Sequence, residues 1–234
     1  MKLYTRRKRY KIKILFVLII ILLLCVMAGK ILNSDVTLPP LGNTAHHTAS
    51  EDNGWNLILV NRDNCIPADY EVQLTELSNG EKVDSRIYPE LQEMFNAARE
   101  QGYGLFVREG YRTQEEQQQL LNEKIKVYEN EGKSKFKAKK LAKEWVAVPG
   151  TSEHQLGIAV DINADITKSS SDDVYNWLAE NAHRYGFIKC YPSDKTDITG
   201  VMNEPWHYRY VGKEAALEIY SQGICLEEYI DMLN

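Results

Sequence analysis

Two short segments carry an unusual density of groups able to hold a cation or move a proton. In TSEHQLGIAVDINAD, residues 151–165, His154 stands seven positions before Asp161 with Gly157 between them. Ile158, Val160 and Ile162 are β-branched and alternate with Ala159, Asp161 and Asn163, so a strand puts Asp161 on a face with small and polar neighbours. His154 belongs to the loop entering that strand, where a sharp turn aims it at the same point. Farther along, NEPWHYRYVG supplies Glu204 and His207 around Pro205, whose ring argues against a helix interior. If Trp206, Tyr208 and Tyr210 face the core, His207 and Arg209 point to the other side.

A catalytic zinc site needs three N, O or S ligands and an open position for water. His154, Asp161 and His207 offer two imidazoles and a carboxylate, which leaves Glu204 free to act as a base. The metal of such a site polarises a scissile carbonyl and lowers the pKa of water toward ~7, while the carboxylate carries a proton to the leaving amine. That division of labour suits amide hydrolysis. A lone histidine is more often a core or surface residue, but four such groups in two short segments point to chemistry.

These segments need a scaffold, and the hydrophobic pattern supplies one of α+β class. WNLILVN, from Trp55, has a strand-like apolar run, and PADY after it reads as a turn. YPELQEMFNAAREQG spaces Leu91, Met94, Phe95 and Ala98 as one helix face, and YGLFVREGYR is a strand running into a turn. Helices follow over about 113–128 and, rich in lysine, over 134–146. SDDVYNWLAENAHRYG is a helix with a Ser or Asp cap and a closing glycine. WHYRYV alternates like a strand and KEAALEIYSQG is helical.

The 234 residues are 44% hydrophobic, enough for one globular domain plus a short extra segment. Residues 1–13 hold seven Lys/Arg and no acid, and a continuous apolar run spans Ile14 to Gly29. With Ile31 and Leu32 added, this is expected to be a transmembrane anchor over 14–32, its basic tail cytoplasmic and all that follows extracytoplasmic. A cleaved secretory signal is the competing reading, but no small-x-small pattern follows the run cleanly. Residues 33–54 are polar with a Pro-Pro pair and read as a flexible stalk, in which His46 and His47 are solvated. The domain over 55–234 is acidic: residues 31–234 carry 20 basic against 33 acidic side chains, a poor balance for binding nucleic acid. Cys65, Cys190 and Cys225 permit at most one disulfide, and burial as small hydrophobes is an equal alternative.

SEHQLGIAVD (Ser152 to Asp161) and EPWH (Glu204 to His207) match the signatures S-x-H-x-x-G-x-A-x-D and E-x-W-H, and EGYRTQEEQ (Glu109 to Gln117) is similar to a third, SGYRS followed by a glutamine. On these motifs the chain, over roughly 55–229, resembles the zinc D,D- and L,D-carboxypeptidases of the VanY and LdcB type, most closely the membrane-anchored VanY enzymes. The resemblance implies a hedgehog-like or D,D-peptidase-like fold, with a small antiparallel sheet flanked by helices. It implies one zinc ion per chain on His154, Asp161 and His207, with Glu204 as catalytic base. Arg112 matches the arginine beside the substrate carbonyl or carboxylate, where it could stabilise an oxyanion or clamp a terminal carboxylate. Gln117 and Ser152 match positions that line the pocket. Glu109 replaces the usual serine, which leaves specificity near that turn open.

The substrate so implied is a peptidoglycan stem peptide: a VanY-type enzyme cuts D-Ala-D-Ala, an LdcB-type enzyme the L-Lys-D-Ala bond of the tetrapeptide. Trimming D-Ala-D-Ala would remove the target of vancomycin. A non-catalytic zinc module of hedgehog type, which has no need of a free Glu204, and a cross-bridge endopeptidase are the alternatives. SKFK (Ser134 to Lys137) fits the S-x-x-K of serine penicillin-binding enzymes but lacks their other elements and reads as helix surface. His183 is expected as a cation near a helix end.

Overall fold

The structure, a computed structural model, describes residues 54–233 together with the backbone of residues 47–48. The basic tail, the expected anchor and most of the stalk, His46 included, lie outside the described residues. Among the described residues no helix is long and apolar enough to cross a membrane.

In chain order, β1 (His47–Thr48) pairs in parallel with β2 (Asn64–Cys65), and β3 (Leu74–Glu76) forms an antiparallel pair with β4 (Lys82–Asp84). Then come α1 (Tyr88–Glu100), β5 (Leu105–Glu109), α2 (Gln114–Asn130), α3 (Lys135–Ala142) and β6 (Ala159–Ala164). The chain continues through α4 (Ser171–Asn181), β7 (Phe187–Lys189), the single turn α5 (Thr196–Thr199), β8 (His207–Tyr210), α6 (Lys213–Gln222) and α7 (Leu226–Leu233). Strands β5, β6, β8 and β7 lie side by side in that order as one antiparallel sheet. The expected α+β class, a small antiparallel sheet among helices, is the observed one.

Helix α1 starts at a proline in its first turn and buries Leu91, Met94, Phe95 and Ala98, the spacing that gives a helix one apolar stripe. That stripe joins Val107 of β5, Ile162 of β6 and Leu178 of α4 in the main core. Each of these side chains larger than alanine stabilises the fold by about 1.5–3 kcal/mol on burial. A second apolar cluster forms where Ala216 and Ile219 of α6 and Leu226 of α7 meet Ile188 of β7.

Three expectations change. Residues 55–60 are not a strand, although Ile58 and Val60 are buried. The carbonyls of Asn56 and Ile58 accept hydrogen bonds from the Arg209 guanidinium, which takes the place of a sheet partner. Helix α3 stops at Ala142, short of Val146, because the chain turns there and the Ala147 carbonyl meets Gln117 of α2. His183 is disfavoured as a cation: its ring stacks on Tyr220 at 3.7 Å and 9°, and burial, aided by Arg184, lowers its pKa. Ser134 caps α3 by accepting from the Lys137 amide, so its S-x-x-K is a helix start. The cysteines at 65, 190 and 225 are free thiols, the last two buried.

Candidate active site

Sheet register creates the first half of the site. Asp161 of β6 lies directly opposite His207 of β8, and opposite Glu109 of β5 on its other side. Side chains opposite one another on an antiparallel pair share a face and sit within contact distance. Asp161 Oδ1 is 3.1 Å from His207 Nδ1.

His154 reaches the same carboxylate from outside the sheet. A 3₁₀ turn, Glu153–Leu156, ends at Gly157 with φ +74°, and a Cβ there would press on Val72 and the Asp84 backbone, so glycine is required. The turn delivers His154 Nε2 to 3.4 Å from Asp161 Oδ1. Its Nδ1 is 2.8 Å from the Gly110 carbonyl, which fixes Nδ1 as the donor and leaves the Nε2 lone pair facing the site. Gly110 itself packs so tightly on the Lys82 carbonyl that no side chain fits.

One atom from each of His154, Asp161 and His207 lies within 4.8 Å of the other two. Tetrahedral ligands at ~2.0–2.2 Å from zinc stand about 3.4 Å apart, so the 3.1 and 3.4 Å separations and the N, N, O donor set fit that ion. The local field also favours positive charge. Burial would lower the His207 pKa, yet hydrogen bonds to Asp161 and Glu153 raise it to about 10. Burial would raise Asp161, yet His154 and then His207 hold it far below the usual carboxylate range.

Beside this cluster, a cavity of ≈ 140 Å³ is lined by Arg112, Gln117, Ser152, Trp206 and Glu204 as well as the three clustered residues. At about 30 Å³ per water it holds roughly five waters, room for a small residue. The Glu204 carboxylate makes no hydrogen bond or ion pair with another described residue, and burial raises its pKa. Arg112 is buried; its Nε donates to Glu109 at 3.0 Å and its Nη1 to Gln117 Oε1 at 2.5 Å, leaving Nη2 without a partner among the described residues. Gln117 is also bonded through Nε2 to the Ala147 carbonyl at 2.7 Å, so both ends of its amide are engaged and it braces Arg112 against the cavity wall. A capping box between Thr113 and Glu116 starts α2 immediately after Arg112 and puts Gln117 one turn on. Ser152 lines the cavity, buried at the foot of the 3₁₀ turn. Glu109, the departure from the serine pattern, grips Arg112 from the more exposed side.

All seven residues singled out in the sequence meet at this cavity. Two neighbours were missed. Glu153, 4% exposed, places Oε2 at 2.8 Å from His207 Nε2 and Oε1 at 2.9 Å from Arg209 Nη1. Arg209 points away from the core aromatics as expected, but it is fully buried. The only sequence sign was at Arg209, a charged residue between Tyr208 and Tyr210; Glu153 stands in a polar segment and gave none. Glu153, Cys190 and His207 are also close enough to hold a cation. Arg209 already neutralises Glu153, and burial followed by the Glu153 charge pushes the Cys190 thiol well up, so it stays a protonated donor at 3.6 Å.

Residues 80–213 match the VanY family model, described as D-alanyl-D-alanine carboxypeptidase. A D-alanyl-D-alanine carboxypeptidase of Enterococcus faecalis is 59% identical over 181 residues, which cover 77% of this chain and 68% of that one. Among solved structures, a mutant of the vancomycin resistance D,D-pentapeptidase VanY from a VanB-type resistance cassette, in complex with Zn(II), is 61% identical. It superposes with a TM-score of 0.74 over 75% of this chain and 99% of that one. VanYB in complex with D-alanine-D-alanine is 60% identical, with a TM-score of 0.74 over 76% and 98%. The match spans every element that carries the site, and the chain belongs to the VanY family of D-alanyl-D-alanine carboxypeptidases.

Proposed function

We propose that this protein is a zinc-dependent D,D-carboxypeptidase that removes the terminal D-alanine from peptidoglycan stem peptides ending in D-Ala-D-Ala. The observation that carries the reading is the meeting of His154, Asp161 and His207 around one point, with the unpaired Glu204 on the same cavity. These three residues would hold the zinc. When bound, the ion supplies Lewis-acid polarisation of the scissile carbonyl and acidifies water.

The chain's own groups do the rest. Arg112, braced by Gln117 and Glu109, pairs its open Nη2 with the terminal carboxylate and so selects a free C-terminus over an internal bond. Glu204 takes a proton from the attacking water as its oxygen bonds to the carbonyl carbon. The same carboxyl returns that proton to the departing nitrogen as the C–N bond breaks, and D-alanine leaves as a free amine. A raised pKa suits a group that must both accept and give. A zinc module without catalysis would have no use for such a carboxylate, which sets the hedgehog-type alternative aside.

The basic tail and apolar run of residues 1–32 support a single-pass anchor with this domain outside the membrane, against the cell wall. Removal of terminal D-alanine there would destroy the D-Ala-D-Ala target of vancomycin and contribute to glycopeptide resistance. The test is to incubate the protein with a stem pentapeptide and a tetrapeptide, with and without a chelator, and follow free D-alanine. Chelator-sensitive release from pentapeptide is expected. Release from tetrapeptide alone would move the specificity to the L,D bond.

A further inference from the structure

His207 is approached by a carboxylate at each ring nitrogen, Glu153 at Nε2 and Asp161 at Nδ1. A neutral imidazole has one N–H, so whichever acceptor is fixed in place decides which nitrogen carries it. Asp161 is shared with His154 and its side chain is 19% exposed. Glu153 cannot turn away. Its other oxygen accepts from Arg209 Nη1 and from the Cys190 thiol. Arg209 is held in turn by the carbonyls of Asn56, Ile58 and Tyr210.

We propose that Glu153 is a positioning residue for the metal centre: by accepting the Nε2–H of His207 it fixes the ring and the tautomer in which Nδ1 keeps its lone pair toward His154 and Asp161. The proposal rests on the reading of those three residues as the zinc site. Outer partners of this kind hold a ligand's orientation and basicity, and their loss typically weakens metal binding by about 10–100-fold.

Two variants of the full chain separate positioning from general stability. Glu153→Gln keeps the shape, but its NH₂ must face either His207, forcing the proton onto Nδ1, or Arg209, where donor meets donor. Arg209→Lys keeps a cation beside Glu153 and gives up the carbonyl contacts. Zinc affinity is measured by competition with a chromophoric chelator, melting temperature is recorded alongside, and nitrogen-15 NMR of the zinc-loaded protein reads the His207 tautomer. Glu153→Gln is expected to lose about 10–100-fold in zinc affinity; Arg209→Lys is expected to lower the melting temperature with affinity little changed. The wild type is expected to show Nε2–H.

Wild-type affinity in Glu153→Gln, or an equal loss in both variants, overturns the proposal. Should Glu153→Gln fail to fold, the wild-type spectrum decides: Nε2–H supports the proposal and Nδ1–H overturns it. If the wild type takes up no zinc, or His154→Ala binds zinc as well as the wild type does, the metal reading fails and takes the proposal with it. That result is distinct from a wild type that binds at His154 and a Glu153→Gln that binds equally.

Discussion

Two glutamates flank the ring of His207, and their surroundings make them opposites. On the sealed side, Glu153 has a donor at each oxygen. Burial would raise its pKa, but Arg209 and then His207 bring it down to about 2. On the open side, Glu204 faces the cavity with no such partner. Burial raises its pKa, and the charge of Asp161 works in the same direction against the histidines. One carboxylate is a permanent anion that holds; the other can take up and release a proton. The residue type is the same, so the neighbours alone assign the roles.

The sharpest way to break the sealed side is Arg209→Met, which leaves Glu153 buried without its permanent cation. Chemical denaturation should show a loss of about 3–5 kcal/mol, the usual consequence of stripping one partner from a buried pair. On the open side the corresponding change is Arg112→Lys, which exchanges a planar fork for a point charge. It should cost kcat/KM for pentapeptide about 1.5–3 kcal/mol, the worth of a charged hydrogen bond, with far less effect on unfolding.

Acid should separate the two sides in order. Because the Glu204 pKa is raised, kcat/KM should fall as pH drops through a value above its ordinary 4.5. Glu153 is depressed, so its contribution to stability is complete above 4.5 and is lost only as pH falls toward about 2. Activity and circular dichroism recorded over one pH series should therefore lose activity first; simultaneous loss would erase the distinction. The smallest effect concerns the core behind the sheet, where the Tyr208 hydroxyl is buried without a partner among the described residues. Tyr208→Phe should leave catalysis alone and stabilise the fold by about 1 kcal/mol in a denaturant titration.

The open side was legible in the sequence because its residues are local. His154, Gly157 and Asp161 sit in one segment whose turn and alternation state their geometry, and Glu204 and His207 flank one proline. The sealed side depends on partners far apart in the chain, Glu153 with Arg209 and Arg209 with Asn56 and Ile58, and no local pattern encodes such pairings. The apolar run at residues 55–60 illustrates the difference. Its composition is that of a strand, yet a buried guanidinium claimed its carbonyls, and hydrophobic period carries no information about that. Helix α1 was read correctly because its stripe packs on the nearest sheet, whereas α3 ended early over a contact between Gln117 and Ala147.

The most direct measurement compares Glu204→Ala with the wild type in two assays, zinc per chain by elemental analysis and D-alanine released from a stem pentapeptide. The account predicts one zinc per chain in both proteins and release slowed by roughly 10²–10⁴-fold in the variant. Release at the wild-type rate from the zinc-loaded variant would contradict it.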